Sequence, residues 1–568
     1  MGQILNAAIC VLNSKYIHSS LAPWSLLAGI ETYCDQGIIA EVTEGTINED
    51  LDSIVQRILA KRPQVIGFSC YIWNIDATKQ LVRLVKGAIP NAVIVLGGPE
   101  VSYNAADILR EEPLVQYVVS GEGENPFALL LNAIYHGEDT HNIPGVSCWM
   151  GKKLMSARQY INDNDPPSPY TEKYFNALKG RIAYLETSRG CPYSCAFCLS
   201  GFGNVRYFDL ERAKKELLML ANSGTQTVKL VDRTFNANRD RAVELFRFII
   251  KNYGSGIPED VCFHFEIAGD ILDEDTISLL ATAPAGLIQL EIGLQSFNTE
   301  TLAAINRKTN VERLKNNIRK IVANGNIHIH VDLIAGLPHE NLRSFAESFN
   351  TAYDLRPNML QLGFLKLLYG SLMRVAPEKY PCQYACRAPY EVTETPWLSS
   401  EELQYLKHME DALQRLSNSG RFRRTLDYLL EQIRIKPFEL FGHFGEYLTA
   451  KDTNRISLND FIALVFEYFG DQSGINKMTL RDMLVCDYLA TNSSGRLPPV
   501  LQVNDPALKC AKKKFKRDRS AITQNKGRRG MALLYSEPCV VYAYYQDKNP
   551  ITSEYSLSKV NKDTLDLI

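Results

Sequence analysis

Residues 187–198 read Thr187-Ser188-Arg189-Gly190-Cys191-Pro192-Tyr193-Ser194-Cys195-Ala196-Phe197-Cys198, a C-x3-C-x2-C spacing. Three thiolates can hold three irons of a four-iron cluster, which ordinarily takes four cysteines, so the fourth iron is left open to another ligand. An open coordination position is what separates a reactive metal site from a structural one. A zinc site calls for four ligands, usually as two spaced pairs, and no second C-x2-C pair or nearby histidine completes one. A disulfide framework belongs to an oxidising compartment, and the N-terminal sequence carries no charged head and apolar run of an export signal. Inert buried thiols remain an alternative, disfavoured by three at this spacing beside Gly190 and Pro192.

The segment 186–202 around those cysteines resembles the signature loop of the radical S-adenosylmethionine (SAM) enzymes. The resemblance implies a [4Fe-4S] cluster on Cys191, Cys195 and Cys198, the catalytic centre. Its open iron is chelated by SAM, and reduction cleaves the sulfonium to a 5′-deoxyadenosyl radical. Phe197 stands where the family places an aromatic before the last cysteine, and Tyr193 lies in the same loop.

Outward from the loop, residues 181–370 alternate strand and helix, with candidate strands 182–186, 227–232, 261–267, 286–293, 327–334 and 359–368. Six such strands suit the partial (β/α)6 barrel of this family. Side chains alternate across a strand, so His264 and Glu266 share one face, Glu291, Gly293 and Gln295 another, and His328, His330 and Asp332 a third. The last set also admits a metal-site reading, which lacks a defined fourth ligand; a polar cavity wall is the plainer one. By resemblance the SAM contacts are Tyr193, Phe197, Asp232, Glu266, Gln295, Ser296, Arg307 and Leu337. Val231-Asp232-Arg233-Thr234-Phe235 departs from the family's Val-Asp-Asp-x-Phe by placing Arg233 at the second acid. Lys366, at the end of the sixth strand, is a candidate base or anchor for a substrate acid.

Residues 5–140 also alternate: strands at 7–12, 65–71, 92–96 and 117–120, helices at 51–61 and 75–88. That rhythm argues for a doubly wound, Rossmann-like parallel sheet. Gly97-Gly98-Pro99-Glu100 and Gly121-Glu122-Gly123-Glu124 follow two of the strands, where such sheets bind ligands. These stretches, with Gly67-Phe68-Ser69-Cys70-Tyr71-Ile72-Trp73-Asn74, are similar to the cobalamin-binding domain that precedes many radical SAM enzymes. The resemblance implies cobalamin contacts at Ser69, Tyr71, Trp73, Gly97, Gly98, Glu100, Val101, Gly121, Glu122, Gly123 and Glu124. The mutase motif Asp-x-His-x-x-Gly is absent, so the cobalamin is expected without a histidine lower ligand. For Trp73, half-buried packing is the alternative.

Four segments result: a cobalamin domain (1–140), a proline-rich linker (141–180), the radical SAM core (181–380) and a mainly helical, substrate-capping C-terminal region (381–568). The last resembles an uncharacterised extension found in one subgroup of these proteins. Ser399-Ser400-Glu401-Glu402 starts a helix with a capping acid; helical stretches follow at 423–434, 456–469 and 480–489, then a strand at 540–545. Cys382 and Cys386 make a C-x3-C pair with no further ligands nearby. Residues 509–529 hold ten basic residues against one Asp, a net +9 that leaves about −11 on the rest of a chain whose total is −2. Such a segment meets nucleic acid or an anionic substrate, or is a solvated loop; apart from Phe515 it lacks stacking aromatics.

The 568 residues are 45% apolar and 22% charged, a globular composition that admits three or four domains. No stretch approaches the ~20 apolar residues of a membrane span. Thirteen scattered cysteines suit a reducing cytoplasm. The cofactor set implies methyl transfer to an unactivated carbon of a small-molecule or peptide substrate, with flavodoxin or ferredoxin as electron donor. The alternatives are a cyclisation, rearrangement or redox step without methyl transfer, or an RNA modification using residues 509–529.

Overall fold

The computed structural model describes residues 4–201, 204–451, 453, 455–503, 529–537 and 539–561. The chain forms two compact units. The first comprises Met1–Glu291, Leu302–Asn310 and Phe364–Pro396; the second comprises Ile292–Thr301, Val311–Gly363 and Trp397–Ile568.

In the first unit, strands β1 (Leu5–Asn13), β2 (Ile38–Thr46), β3 (Val65–Ser69), β4 (Val93–Gly97), β5 (Tyr117–Val119), β6 (Val146–Met150) and β7 (Lys153–Met155) form one sheet in the order 2-1-3-4-5-6-7. The first five are parallel and the last two antiparallel. Helices α1 (Ala22–Tyr33), α2 (Leu51–Leu59), α3 (Ile75–Ala88), α4 (Ala105–Glu111) and α5 (Glu124–His136) connect or follow the parallel strands. Alternate side chains of the sheet, Ala8, Cys10, Leu12, Ile66, Phe68, Ile94, Leu96 and Val118, pack with Ile54, Ile58, Leu81, Val85 and Ile108 in one core. On the other face α1 and α5 approach closely: a Cβ on Gly29 would lie 2.6 Å from the carbonyl oxygen of Glu124. Strand β2 was not among the expected strands; its Glu41 and Glu44 interrupt the apolar run because it lies at the edge. The hairpin β6–β7 and a helix Glu172–Leu178 occupy what composition suggested was only a linker. Proline and polar content there marks the turns and hides two strands that add to an existing edge.

The same unit continues into β8 (Ala183–Leu185), the two-residue strands β9 (Ser188–Arg189) and β10 (Arg206–Tyr207), β11 (Thr227–Leu230) and β12 (Cys262–Ile267). Strands β8, β11 and β12 pair in parallel, with Lys229 level with both Tyr184 and His264. Strand β13 (Ile288–Gln295) starts in this unit. Its end belongs to the second unit, as do β14 (His328–Ala335) and most of β15 (Met359–Phe364). All six expected core strands are therefore present, four shorter than expected and two, β13 and β14, shifted by one or two residues toward the C-terminus.

The second unit ends in helices Ser400–Leu413, Arg423–Ile433, Pro437–Ala450, Leu458–Gly470 and Lys477–Thr491. Ser399 and Glu402 form the expected capping box. The helix Pro437–Ala450 went unforeseen because its two glycines resemble a break. They serve packing instead: a Cβ on Gly445 would meet the carbonyl oxygen of His408 at 2.2 Å. The expected single tail strand is one of three antiparallel strands, Arg529–Leu533, Cys539–Lys548 and Tyr555–Asn561. The basic stretch 509–528 lies outside the described residues.

Candidate functional site

The three cysteines sit in the loop between β9 and β10, whose pairing of Arg206 with Arg189 brings the loop's two ends together. Cys191 and Cys195 are buried and Cys198 is half-buried. Gly190 has φ +101°, and a Cβ there would press within 2.8 Å of the Asn204 carbonyl, so the turn into Cys191 requires glycine. Each sulfur has a polar neighbour: Thr234 Oγ1 lies 3.4 Å from Cys191 Sγ, Arg307 Nη1 donates to Cys195 Sγ at 3.7 Å, and Ser200 N donates to Cys198 Sγ at 3.4 Å. Burial raises the Cys195 thiol above its ordinary pKa, and Arg307 works against that rise. Three converging sulfurs with hydrogen-bond donors around them fit an iron–sulfur cluster, whose potential responds to such donors.

The expected SAM contacts divide between the units. In the first, Tyr193 and Phe197 are half-buried in the cysteine loop. Arg307 reaches Cys195 itself. Glu266 faces Lys229 (3.6 Å) and Arg233 (3.8 Å). Lys229 also donates to Glu291 Oε2 at 3.0 Å, which His264 Nε2 meets at 2.7 Å. Burial opposes the charge on Lys229, but Glu291 and Glu266 outweigh it and raise its pKa. In the second unit, Gln295 has φ +65° and its Oε1 is buried without a partner, an acceptor suited to a bound donor. Ser296 donates to Glu340 Oε1 at 2.5 Å. His330 Nε2 and Asp332 Oδ1 lie 3.0 Å apart.

At the carboxyl ends of β3, β4 and β5 the chain makes a second candidate site. In a sheet of this order, ligands bind at the reversal beside β1 and β3. Tyr71 and Trp73 stack at 4.4 Å and 8°, and Trp73 is 46% exposed. Its indole donates to the Leu12 carbonyl at 3.2 Å, so the exposed ring is held rigidly. Gly98 (φ +105°) and Gly121 (φ +89°) bring backbone within a distance that any Cβ would block.

Several expected side chains point elsewhere. Glu100 is buried and accepts from Tyr390 Oη at 2.5 Å. Val101 and Leu337 are fully buried. Both oxygens of Asp232 are taken by the Thr187 backbone and hydroxyl and by Ser188. Glu122 accepts from Arg189 (2.6 Å) and Arg206 (2.8 Å), and Glu124 from Arg189 (2.6 Å). Sequence reasoning missed Arg189, Arg206, Thr234 and Tyr390 as parts of the site. Little in their spacing marks them, since apart from the Arg189–Glu186 pair each reaches partners tens to hundreds of residues away. Lys366 is exposed, and Cys382 and Cys386 gain no further ligand among the described residues.

Residues 9–131 match the B12 binding domain, residues 185–352 the Radical SAM superfamily and residues 378–532 a protein of unknown function, DUF4080. The chain thus carries a B12 binding domain followed by a radical SAM domain. Among its relatives, the 2-(S-pantetheinyl)-carbapenam-3-carboxylate methyltransferase of Streptantibioticus cattleyicolor is 30% identical over 51% of this chain and 45% of its own length. The cobalamin-dependent radical SAM methyltransferase TokK of Streptomyces tokunonensis is 29% identical over 54% of this chain and 46% of its own. The chain thus spans less than half the length of these two curated relatives. In fold, it resembles the cobalamin-dependent SAM radical enzyme OxsB with aqua-cobalamin and SAM bound, with TM-score 0.60, 14% identity, and coverage of 92% of this chain and 81% of that one. Among the described residues no helix is long and apolar enough to cross a membrane.

Proposed function

We propose that this protein is a cobalamin-dependent radical SAM methyltransferase acting on an unactivated carbon. The gathering of Cys191, Cys195 and Cys198, each beside a hydrogen-bonding neighbour, carries the reading. Cys191, Cys195 and Cys198 would hold the [4Fe-4S] cluster. Tyr193, Phe197, Glu266, Gln295, Ser296 and Arg307 would contact SAM through side chains, and Asp232 and Leu337 through backbone. Ser69, Tyr71, Trp73, Gly97, Gly98, Gly121 and Gly123 would line the cobalamin, with Glu100, Val101, Glu122 and Glu124 contributing main chain. Bound, the cluster and SAM supply a carbon-centred radical, and cobalamin supplies the methyl group.

The chain's own share is positional. Arg307 places a fixed positive charge against the cysteine sulfur, favouring the thiolate form. Lys229, Glu266, Glu291 and His264 present an ion-paired, hydrogen-bonded wall able to orient a polar substrate. The cobalamin is read as lacking a histidine lower ligand. His18 is hydrogen-bonded to Tyr184, while His136 and His141 pair with Asp35 and Asp139. A flavodoxin or ferredoxin would deliver the electron in the cytoplasm.

The test is oxygen-free protein reloaded with iron, sulfide and cobalamin, then given SAM and reductant. Release of 5′-deoxyadenosine by the wild type and its loss in Cys195→Ala are expected. SAM labelled with a deuterated methyl group, followed into product, separates methyl transfer from a cyclisation or redox outcome. Intact cofactor binding with no cleavage of SAM by the wild type overturns the reading.

A further inference from the structure

The ends of the cysteine loop are tied to the candidate cobalamin loop by a half-buried ion cluster. Arg189 ends β9 and Arg206 begins β10, and they are paired across that ribbon. Both guanidinium groups reach the same oxygen, Glu122 Oε2, at 2.6 and 2.8 Å. Arg189 also donates to Glu124 Oε1 at 2.6 Å and, through Nε and Nη2, to both oxygens of Glu186 at 2.9 Å. All three of its nitrogens are engaged. The receiving turn is itself pinned: Tyr160 N donates to the Ser120 carbonyl and Glu122 N to the Tyr160 carbonyl, both at 2.9 Å. The cluster therefore joins two held backbones, neither carried by a flexible surface side chain.

We propose that Arg189 is a positioning residue that sets the cysteine loop against the Ser120–Glu124 turn, so that a group bound at either loop steadies the other. This rests on the function proposed above and names the device that aligns its two sites. The planar fork of arginine meets three carboxylates at once, which the point charge of lysine cannot do. Gly190 and Cys191 follow directly, so a shift of the Arg189 fork moves the first sulfur ligand. On the other side, Glu122 and Glu124 alternate with Gly121 and Gly123, and Gly121 packs against the Tyr160 backbone too closely for any Cβ.

Hydrogen exchange on the full-length protein tests this without turnover. In Glu124→Gln, exchange at residues 190–201 is expected to quicken about tenfold relative to the sheet strands β1 and β3. Arg189→Lys is expected to fall between this variant and wild type. In wild type, adding cobalamin slows exchange in the cysteine loop; in Glu124→Gln that slowing is lost. If Arg189→Lys does not fold, Glu124→Gln decides, since it keeps the cysteine loop's own sequence. Wild-type exchange at 190–201 in Glu124→Gln, or equal slowing by cobalamin in both proteins, overturns the proposal. Failure of wild type to bind cobalamin would instead strike the proposed function, and the cofactor-free comparison would still judge Arg189.

Discussion

Two buried carboxylate sites in this molecule solve one problem in opposite ways. Around Arg189, Glu122, Glu124 and Glu186 share two guanidinium groups. In the second unit, Glu340 is fully buried with only the hydroxyls of Ser296 (2.5 Å) and Ser348 (3.1 Å) on its Oε1. Burial disfavours the charged form at both. Beside Arg189 the cations reverse this for Glu124, whose pKa falls below its ordinary value despite burial; for Glu186 burial still prevails and raises it. No cation reaches Glu340 among the described residues, and burial lifts it to about 7. Depth alone therefore does not decide the direction of the shift; the balance of desolvation against all neighbouring charges does. One site is a charged joint between loops, the other a hydroxyl-bonded stitch between a strand end and a turn.

Removing the cation breaks the contrast most severely. Arg189→Gln leaves buried Glu124 and half-buried Glu186 without their cation and should cost about 3–5 kcal/mol in denaturant unfolding. A loss below about 1 kcal/mol would show that water already screens the joint. Glu340 gives the next largest effect, through pH. Its folded pKa of about 7 lies above the ordinary 4.5. Stability is then full below pH 4.5 and is lost as pH rises through 7, by on the order of 3 kcal/mol. Glu340→Gln should flatten that part of the pH–stability curve, and an unchanged slope between pH 5 and 7 would refute the assignment. A smaller test concerns Glu100, where burial again raises the pKa and Tyr390 supplies the hydrogen bond. Tyr390→Phe should cost about 1–2 kcal/mol and shift the Glu100 titration further upward, read by carboxyl NMR. The smallest effect belongs to the exposed pair Glu49–Arg57 at 2.5 Å. Arg57→Ala should change stability by less than about 1 kcal/mol and be sensitive to salt, whereas the Arg189 joint should not be.

The fold was legible wherever a strand carried a continuous apolar run. Val65–Ser69 is buried throughout, and Ile288–Gln295 alternates strictly between buried and half-buried positions. Strand β2 and the hairpin β6–β7 escaped because edge strands tolerate charge and polar residues. The cysteines were legible from spacing, a local property of one loop. Glu122 and Glu124 were placed correctly at a strand end, but their side chains turn to arginines more than sixty residues away.

Local order in the chain thus determined the cysteine spacing, the glycine-rich turns and the strand–helix rhythm, because backbone conformation and periodic burial are written within a few residues. The partners of buried charge were decided only when distant segments packed. Arg189 acquired its carboxylates and Glu340 its solitude from the three-dimensional neighbourhood, since desolvation and Coulomb attraction act through space and leave no periodic trace.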